Sequence, residues 1–325
     1  MSSPAHWQNR GLRAILLLPL ALLFLLAANL RRLAWRSGLL TAEKTGLPVI
    51  VVGNITAGGT GKTPLVLWLA RFLAEQGRRP AIISRGYGAS RTDPRQVPPE
   101  GIPADYGDEP CLLARRAGCP VWVGADRAAT VRALHAAHPA IDVVISDDGL
   151  QHYRLARNFE IAVIDSARGL GNGWPLPAGP LREPVARLAT VDAVVVNGAQ
   201  QNWPGAIRMD LEGMTFRNLR DPHTTVPAAY FRGRRVHAVA GIGNPQRFFE
   251  HLHRIGIECS EHPFPDHHPY VPADLQFAGE DDVVMTEKDA VKCVGFATAT
   301  CWVLAVDAVV EPELGAKILT RLSQA

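Results

Sequence analysis

From Pro48 onward the chain alternates short apolar runs with stretches of helical spacing. The runs at 49–52, 81–84, 121–123, 143–146, 160–165 and 191–196 are apolar enough to be covered on both faces. They predict the strands of a parallel sheet. Strands and helices in alternation predict an α/β domain with helices on both faces of the sheet. Residues 197–235 interrupt the pattern, being rich in Gly, Pro, Asn and Arg without clear periodicity, and are expected to connect two domains. The pattern resumes with runs at 236–240, 283–286 and 302–306 and a helix over about 245–255, which predict a smaller α/β unit. The expected boundaries are an N-terminal helix over 1–36, the sheet domain over 37–215, a linker over 216–235 and the smaller unit over 236–325. No internal repeat or low-complexity tract is visible.

The N-terminal segment follows neither pattern. Residues 14–28 form an unbroken apolar run, flanked by Arg10 and Arg13 on one side and by Arg31, Arg32 and Arg36 on the other. As a helix this run covers roughly 22 Å, short of the ~30 Å hydrocarbon core of a bilayer. Extending it over 11–30, with Arg13 reaching back to the headgroups, brings it to about 30 Å, although Pro19 lies inside it. A cleaved signal peptide or a buried core helix would have similar composition. A signal peptide would carry the rest of the chain out of the cytosol. A retained anchor, spanning the membrane or lying in its interface, is the expectation.

Composition narrows the class. The 325 residues are 47% hydrophobic and 20% charged, enough for a large core. A net charge of +3, with no run of Lys or Arg longer than two, argues against nucleic acid as a partner. Cys111, Cys119, Cys259, Cys293 and Cys301 form no C-x-x-C pair, which points to reduced thiols rather than disulfides or zinc.

The strongest chemical signal is Gly53-Asn54-Ile55-Thr56-Ala57-Gly58-Gly59-Thr60-Gly61-Lys62-Thr63-Pro64, after an expected strand and at the start of an expected helix. That context suits a loop whose backbone N–H groups cradle phosphates, with Lys62 as cation and Thr63 as a Mg²⁺ ligand. Thr56 stands where the strict pattern has glycine. A magnesium–nucleotide site also needs a carboxylate, and Asp147 and Asp148 stand where the 143–146 run ends. Alone, such a pair reads as a turn or cap; downstream of a phosphate loop it reads as a metal site. The glycine pattern also resembles that of the partitioning and arsenite-pump ATPases, but their extra lysine before the paired glycines is here Ala57. The polar motifs beyond the loop, moreover, exceed what a switch ATPase needs.

Those motifs are SRGYG at 84–88, GDEP at 107–110, SDDGLQHYRL at 146–155, GNGWPLPAGPLREP at 171–184, AGIGNPQRFF at 240–249, FPDHH at 264–268 and MTEKDAVKC at 285–293. With the phosphate loop and the apolar leader they cover nearly the whole chain in order, and together the chain resembles the tetraacyldisaccharide 4′-kinases of lipid A biosynthesis. The resemblance implies a P-loop NTPase-like parallel sheet, a smaller C-terminal α/β domain and a membrane-associated helix, with ATP in the cleft between the domains. It implies transfer of the ATP γ-phosphate to the 4′-hydroxyl of a tetraacyl glucosamine disaccharide 1-phosphate, a lipid A precursor. The implied cofactors are ATP and Mg²⁺, and the implied location is the cytoplasmic face of the bacterial inner membrane. Thr56 is usual for this family. By the same resemblance, Thr56 to Thr63 bind nucleotide, Thr63 with Asp147 or Asp148 holds the metal, and Asp108 acts as base supported by His267. Arg85, Tyr87, Glu109, His152, Arg182 and Glu183 match active-site motifs in a supporting role. An Asp108 that merely caps a helix near Pro110, with His267 in a turn, is the alternative.

Overall fold

The computed structural model describes residues 4–199 and 203–324. Residues 1–3 of the leader and 200–202 of the expected connection lie outside the described residues. The leader forms α1 (Leu12–Leu16) and α2 (Leu18–Arg36). The break between them falls at Leu17, ahead of Pro19, which occupies the first turn of α2 where its missing N–H costs nothing. With 19 residues, α2 is about 28 Å long, and it is the one described helix long and apolar enough to cross a membrane. Its leucines stand in the open: Leu20, Leu22, Leu23, Leu26, Leu30 and Leu33 are each more than half exposed. Ahead of it, the chain is tied to the body by Asn172, whose Nδ2 donates to the carbonyls of His6 (2.9 Å), Asn9 (3.1 Å) and Ala178 (2.9 Å).

Strands β1 (Val49–Gly53), β2 (Pro80–Ser84), β3 (Arg95–Gln96), β4 (Val121–Val123), β5 (Val143–Asp147), β6 (Phe159–Asp165), β7 (Ala193–Asn197) and β8 (Ile207–Glu212) belong to one sheet. A second sheet contains β9 (Thr215–Asn218), β10 (Thr225–Pro227), β11 (Val236–Ala240), β12 (Ser260–Pro263), β13 (Asp282–Thr286) and β14 (Cys301–Leu304). The chain then returns, and β15 (Asp307–Val310) closes the first sheet, whose order is β15-β8-β7-β6-β1-β5-β2-β4-β3. That sheet is parallel except at its edges, where β15 and β3 run antiparallel to β8 and β4. The second sheet, ordered β10-β9-β14-β13-β11-β12, is parallel from β14 to β12 and antiparallel at β9 and β10.

The apolar runs divide between two cores because successive strand side chains point to opposite faces. Ile50, Val52, Ile82, Val143 and Ile145 enter one core, whereas Val49, Val51, Ala81, Ile83 and Val144 enter the other. The first core is covered by α3 (Lys62–Glu75), by α5 (Asp108–Arg116), which follows the single turn of α4 (Pro103–Tyr106), and by a C-terminal helix described below. The second is covered by α6 (Arg127–Ala137), whose N-cap Asp126 accepts from the N–H groups of Ala128 and Ala129. Helix α3 presents Leu65, Val66, Leu69, Ala70 and Leu73 at helical spacing to the sheet and ends before Gly77, whose φ of 76° suits a helix stop. Each of these leucines and Val66 contributes about 1.5–3 kcal/mol on burial.

Two expectations need correction. The stretch 197–235 is not structureless: it holds β8, β9 and β10, and the IRMDLE run of β8 alternates apolar with polar as a half-buried strand does, a pattern masked by the Gly, Pro, Asn and Arg around it. Nor does the chain stay in the second unit from 236 to its end. After α7 (Pro245–Arg254) and α8 (Glu287–Cys293), both β15 and α9 (Pro312–Leu322) rejoin the first unit, with Leu314, Ile318 and Leu322 buried beside α3. A side chain at Gly315 would stand 2.6 Å from the ring of Phe72, so the missing Cβ sets that helix contact.

Candidate active site

The carboxyl ends of both parallel sheets face one cleft, where such folds bind ligands. On the first side the phosphate loop leaves β1 and enters α3. Gly58 (φ 99°) and Gly61 (φ 89°) take left-handed conformations. A Cβ at Gly61 would also meet Asn197 Nδ2 at 2.3 Å, and that same nitrogen donates to the Thr60 carbonyl at 3.1 Å. Asn54 Nδ2 donates to the Gly58 carbonyl (3.2 Å), while the Ala57 N–H reaches the Pro180 carbonyl (2.8 Å) and Thr56 bridges to Leu181. Thr63 follows Lys62 on the first turn of α3.

Lys62 Nζ lies 3.4 Å from Asn54 Oδ1 and 3.4 Å from Asp148 Oδ1. Asp148 follows β5 with φ 46°, an uncommon conformation for a non-glycine residue, and its Oδ2 accepts from Arg182 at 3.2 Å. Burial pushes its carboxyl up, but Lys62 and Arg182 outweigh burial and hold it below the usual carboxylate range. Asp147 is the opposite case. It is fully buried, Ser84 Oγ donates to its Oδ2 at 3.4 Å, and its Oδ1 has no partner. Burial, with repulsion from Glu109 and Asp148, pushes it up to about 7 against the pull of Lys62 and Arg127.

Also on the first lobe, facing the second, Asp108 and Glu109 open α5, and neither caps it. Asp108 Oδ2 instead accepts from His267 Nδ1 at 3.0 Å, across 159 residues of sequence. His267 lies beyond β12 with φ 61°, so it is a turn residue as well as a partner. Burial raises the Asp108 carboxyl, and the His267 hydrogen bond with Lys292 and Lys288 more than offsets that, leaving it below its ordinary value. His268 turns away to Asp274 Oδ2 at 2.9 Å.

One cavity of about 960 Å³ joins these groups: Lys62, Asp148, Arg85, Tyr87, Asp108 and His267 line it. Phe24, Ala27, Ala28 and Arg31 of α2 line it too. His152 Nε2 faces the Arg127 N–H at 3.4 Å, and burial together with Arg127 and Arg157 pushes its imidazole down to about 4. Glu183 is buried among Gln151 Nε2 (2.7 Å), Tyr153 and Arg187 (3.3 Å), which makes it a brace for the wall. Arg127, Asn54 and Lys288 also belong to the site and were missed as individuals. Asn54 stood in the loop motif at 53–64 and Lys288 in MTEKDAVKC, whereas Arg127 carried no sequence signal.

The two lobes touch at the loop. A Cβ at Gly243, beyond β11, would stand 3.1 Å from the Gly59 nitrogen, and Arg168 donates to the carbonyls of both Gly59 and Gly243. From α7, Arg247 reaches Asp165 Oδ2 (3.2 Å) and Asn197 Oδ1 (2.7 Å).

A phosphate loop opening a helix, an acidic pair ending the adjacent parallel strand and a second lobe across the cleft define a P-loop phosphotransferase. Residues 13–323 match the family model described as tetraacyldisaccharide-1-P 4′-kinase. A tetraacyldisaccharide 4′-kinase of Azoarcus sp. is 52% identical over 99% of this chain and 95% of its own length. One of Thiobacillus denitrificans is 49% identical over 97% and 96%. The solved LpxK of Aquifex aeolicus in complex with ATP superposes with a TM-score of 0.79 at 28% identity, covering 96% of this chain and all of that one. The chain belongs to the tetraacyldisaccharide 4′-kinase family, a family of kinases, and the switch-ATPase reading is set aside.

Proposed function

We propose that the chain transfers the γ-phosphate of ATP to the 4′-hydroxyl of a tetraacyl glucosamine disaccharide 1-phosphate at the cytoplasmic face of a bacterial inner membrane. The observation that carries this reading is a single cavity lined by Lys62, by Asp108 with His267, and by residues of the apolar α2. Acyl chains can remain in the bilayer beside α2 while the sugar enters between the lobes. Arg127, buried at the N-terminus of α6 with Nη1 unpartnered, supplies positive charge toward a second phosphate.

Magnesium fits the residues present. The unpartnered Asp147 Oδ1 and the raised Asp147 carboxyl mark a place short of positive charge. Among the described residues no three acidic, His or Cys side chains form a protein-only cage, and magnesium instead takes one or two carboxylates, with phosphate oxygens and water completing its shell. Asp147, Asp148 and Thr63 would hold it, and when bound it neutralises charge on the transferring phosphate. Lys62 and the loop amides hold the phosphates in line. The Asp108 carboxylate is held below even the ordinary Asp range, itself far below that of a sugar hydroxyl, so it orients the hydroxyl and takes its proton late, as the new P–O bond completes.

γ-Labelled ATP offered with and without the disaccharide 1-phosphate tests this directly. Label should enter lipid; label in inorganic phosphate alone would overturn the transfer. Deleting residues 1–32 should reduce membrane recovery and lipid phosphorylation while ATP binding survives. Equal partitioning of full and truncated chains would sink the anchor role of α2.

A further inference from the structure

Lys288, on the first turn of α8, aims its ammonium at three acceptors from different elements: Glu109 Oε1 at 3.2 Å, Asp266 Oδ1 at 3.4 Å and His267 Nε2 at 3.4 Å. Helix α8 is held in place at the β13 end, where Thr286 caps it by accepting from the Asp289 N–H and Asp289 Oδ2 accepts from the Gly241 N–H at 2.9 Å. Burial favours the neutral amine, but Glu109 and Asp266 outweigh it and hold Lys288 above its ordinary value, so it remains an ammonium. An ammonium has three donors and no acceptor. Its contact with Nε2 therefore requires a lone pair there, which places the imidazole proton on Nδ1, facing Asp108 Oδ2 at 3.0 Å.

We propose that Lys288 is a positioning residue that locks His267 as its Nδ1–H tautomer, so that His267 donates to Asp108 and holds the carboxylate for the acceptor hydroxyl. The proposal rests on the reading of Asp108 as the proton acceptor. His267 and Lys292 both address Oδ2, at 3.0 and 3.8 Å, which leaves Oδ1 for the hydroxyl. The other groups facing His267 are Asp266 on its own loop and the Tyr87 ring, whose centroid lies 5.7 Å away. Asp266 Oδ1 stands 4.0 Å from Nε2, and Lys288 bonds to both it and Glu109. Without Lys288, the Asp266 carboxylate would draw a proton onto Nε2. A proton moved there from Nδ1 leaves a nitrogen lone pair against the Asp108 carboxylate and breaks the orienting bond.

¹⁵N-histidine spectra of the full chain in detergent test the lock, with His267 assigned by the signals lost in His267→Ala. At neutral pH the wild type should show Nε2 unprotonated and Nδ1 protonated, Lys288→Met should protonate Nε2, and Lys288→Arg should restore the wild-type pattern. Lys288→Met should also lower kcat about 10- to 100-fold, the range lost when a partner orienting an active-site histidine is removed, with the KM for ATP unchanged. A protonated Nε2 with an unprotonated Nδ1 in the wild type, or an Nε2 signal unmoved in folded Lys288→Met, overturns the proposal. Normal turnover by Asp108→Ala would overturn the base assignment alone, because the nitrogen signals report the tautomer without any turnover.

Discussion

The two lobes contribute to the cleft by different means. In the proposed reading the first lobe binds phosphate with a contiguous loop, whose N–H groups and Lys62 are delivered by one strand–helix turn. The second lobe contributes single side chains from separate segments, His267 beyond β12 and Lys288 on α8, that meet Asp108 and Glu109 only across the cleft. In that reading phosphate recognition is local, whereas proton handling depends on how the lobes meet. Nucleotide binding and proton transfer should therefore fail separately.

The largest loss is expected on the local side. Lys62→Ala should cut turnover roughly 10³-fold with the fold intact, the effect of removing one preorganised charge stabiliser. Near-normal turnover in a folded variant would break the assignment of the loop. Across the cleft, Asp108→Ala should lower kcat roughly 10²-fold with little change in ATP affinity, within the range of general-base removal. His267→Ala should also be slow, and the double variant should be much less impaired than the product of the two. Independent effects in this cycle would separate the pair, and a loss of thermal stability in Asp108→Ala would return it to a structural role.

Asp147→Asn should act through metal and pH together. With the folded carboxyl raised to about 7 from 3.8, the folded state binds more protons than the unfolded one between those values. The contribution of Asp147 to metal-free stability therefore declines as pH rises from 3.8 to 7. Magnesium must displace the same proton, so its apparent affinity should improve over that range and level off above it. The asparagine variant should raise the magnesium requirement and lose that part of the pH slope in thermal unfolding. Unchanged metal dependence in both Asp147→Asn and Asp148→Asn would reduce the acidic pair to a turn.

The smallest effect concerns the contact between lobes. Arg247→Ala removes the bonds to Asp165 and Asn197, the latter of which also holds the Thr60 carbonyl. Charge-assisted bonds contribute ~1.5–3 kcal/mol, discounted here because the arginine is partly exposed, so the KM for ATP should rise about tenfold or less. A change confined to kcat would show that the lobes couple through the Asp108 side instead.

The sequence by itself determined what depends on neighbouring residues. The buried strands β1, β2, β4, β5 and β6 were legible because parallel strands covered on both faces are continuously apolar. The phosphate loop was legible because a cradle of backbone N–H groups needs glycines and a lysine at fixed spacing. Family motifs named Asp108 and His267, but that they lie 3.0 Å apart is a fact of folding across 159 residues. Strand β8 did carry a period-2 alternation at 207–212, but the short β9 and β10 and the return of β15 to the first sheet left no such trace, since strand pairing is set by long-range partners rather than local pattern. The same holds for electrostatics. Asp147 and Asp148 are adjacent and chemically identical, yet one is raised and the other lowered, because β5 buries Asp147 while a backbone turned to φ 46° aims Asp148 at Lys62 and Arg182. Only the tertiary structure could decide that, because burial and partner charge are properties of position in space.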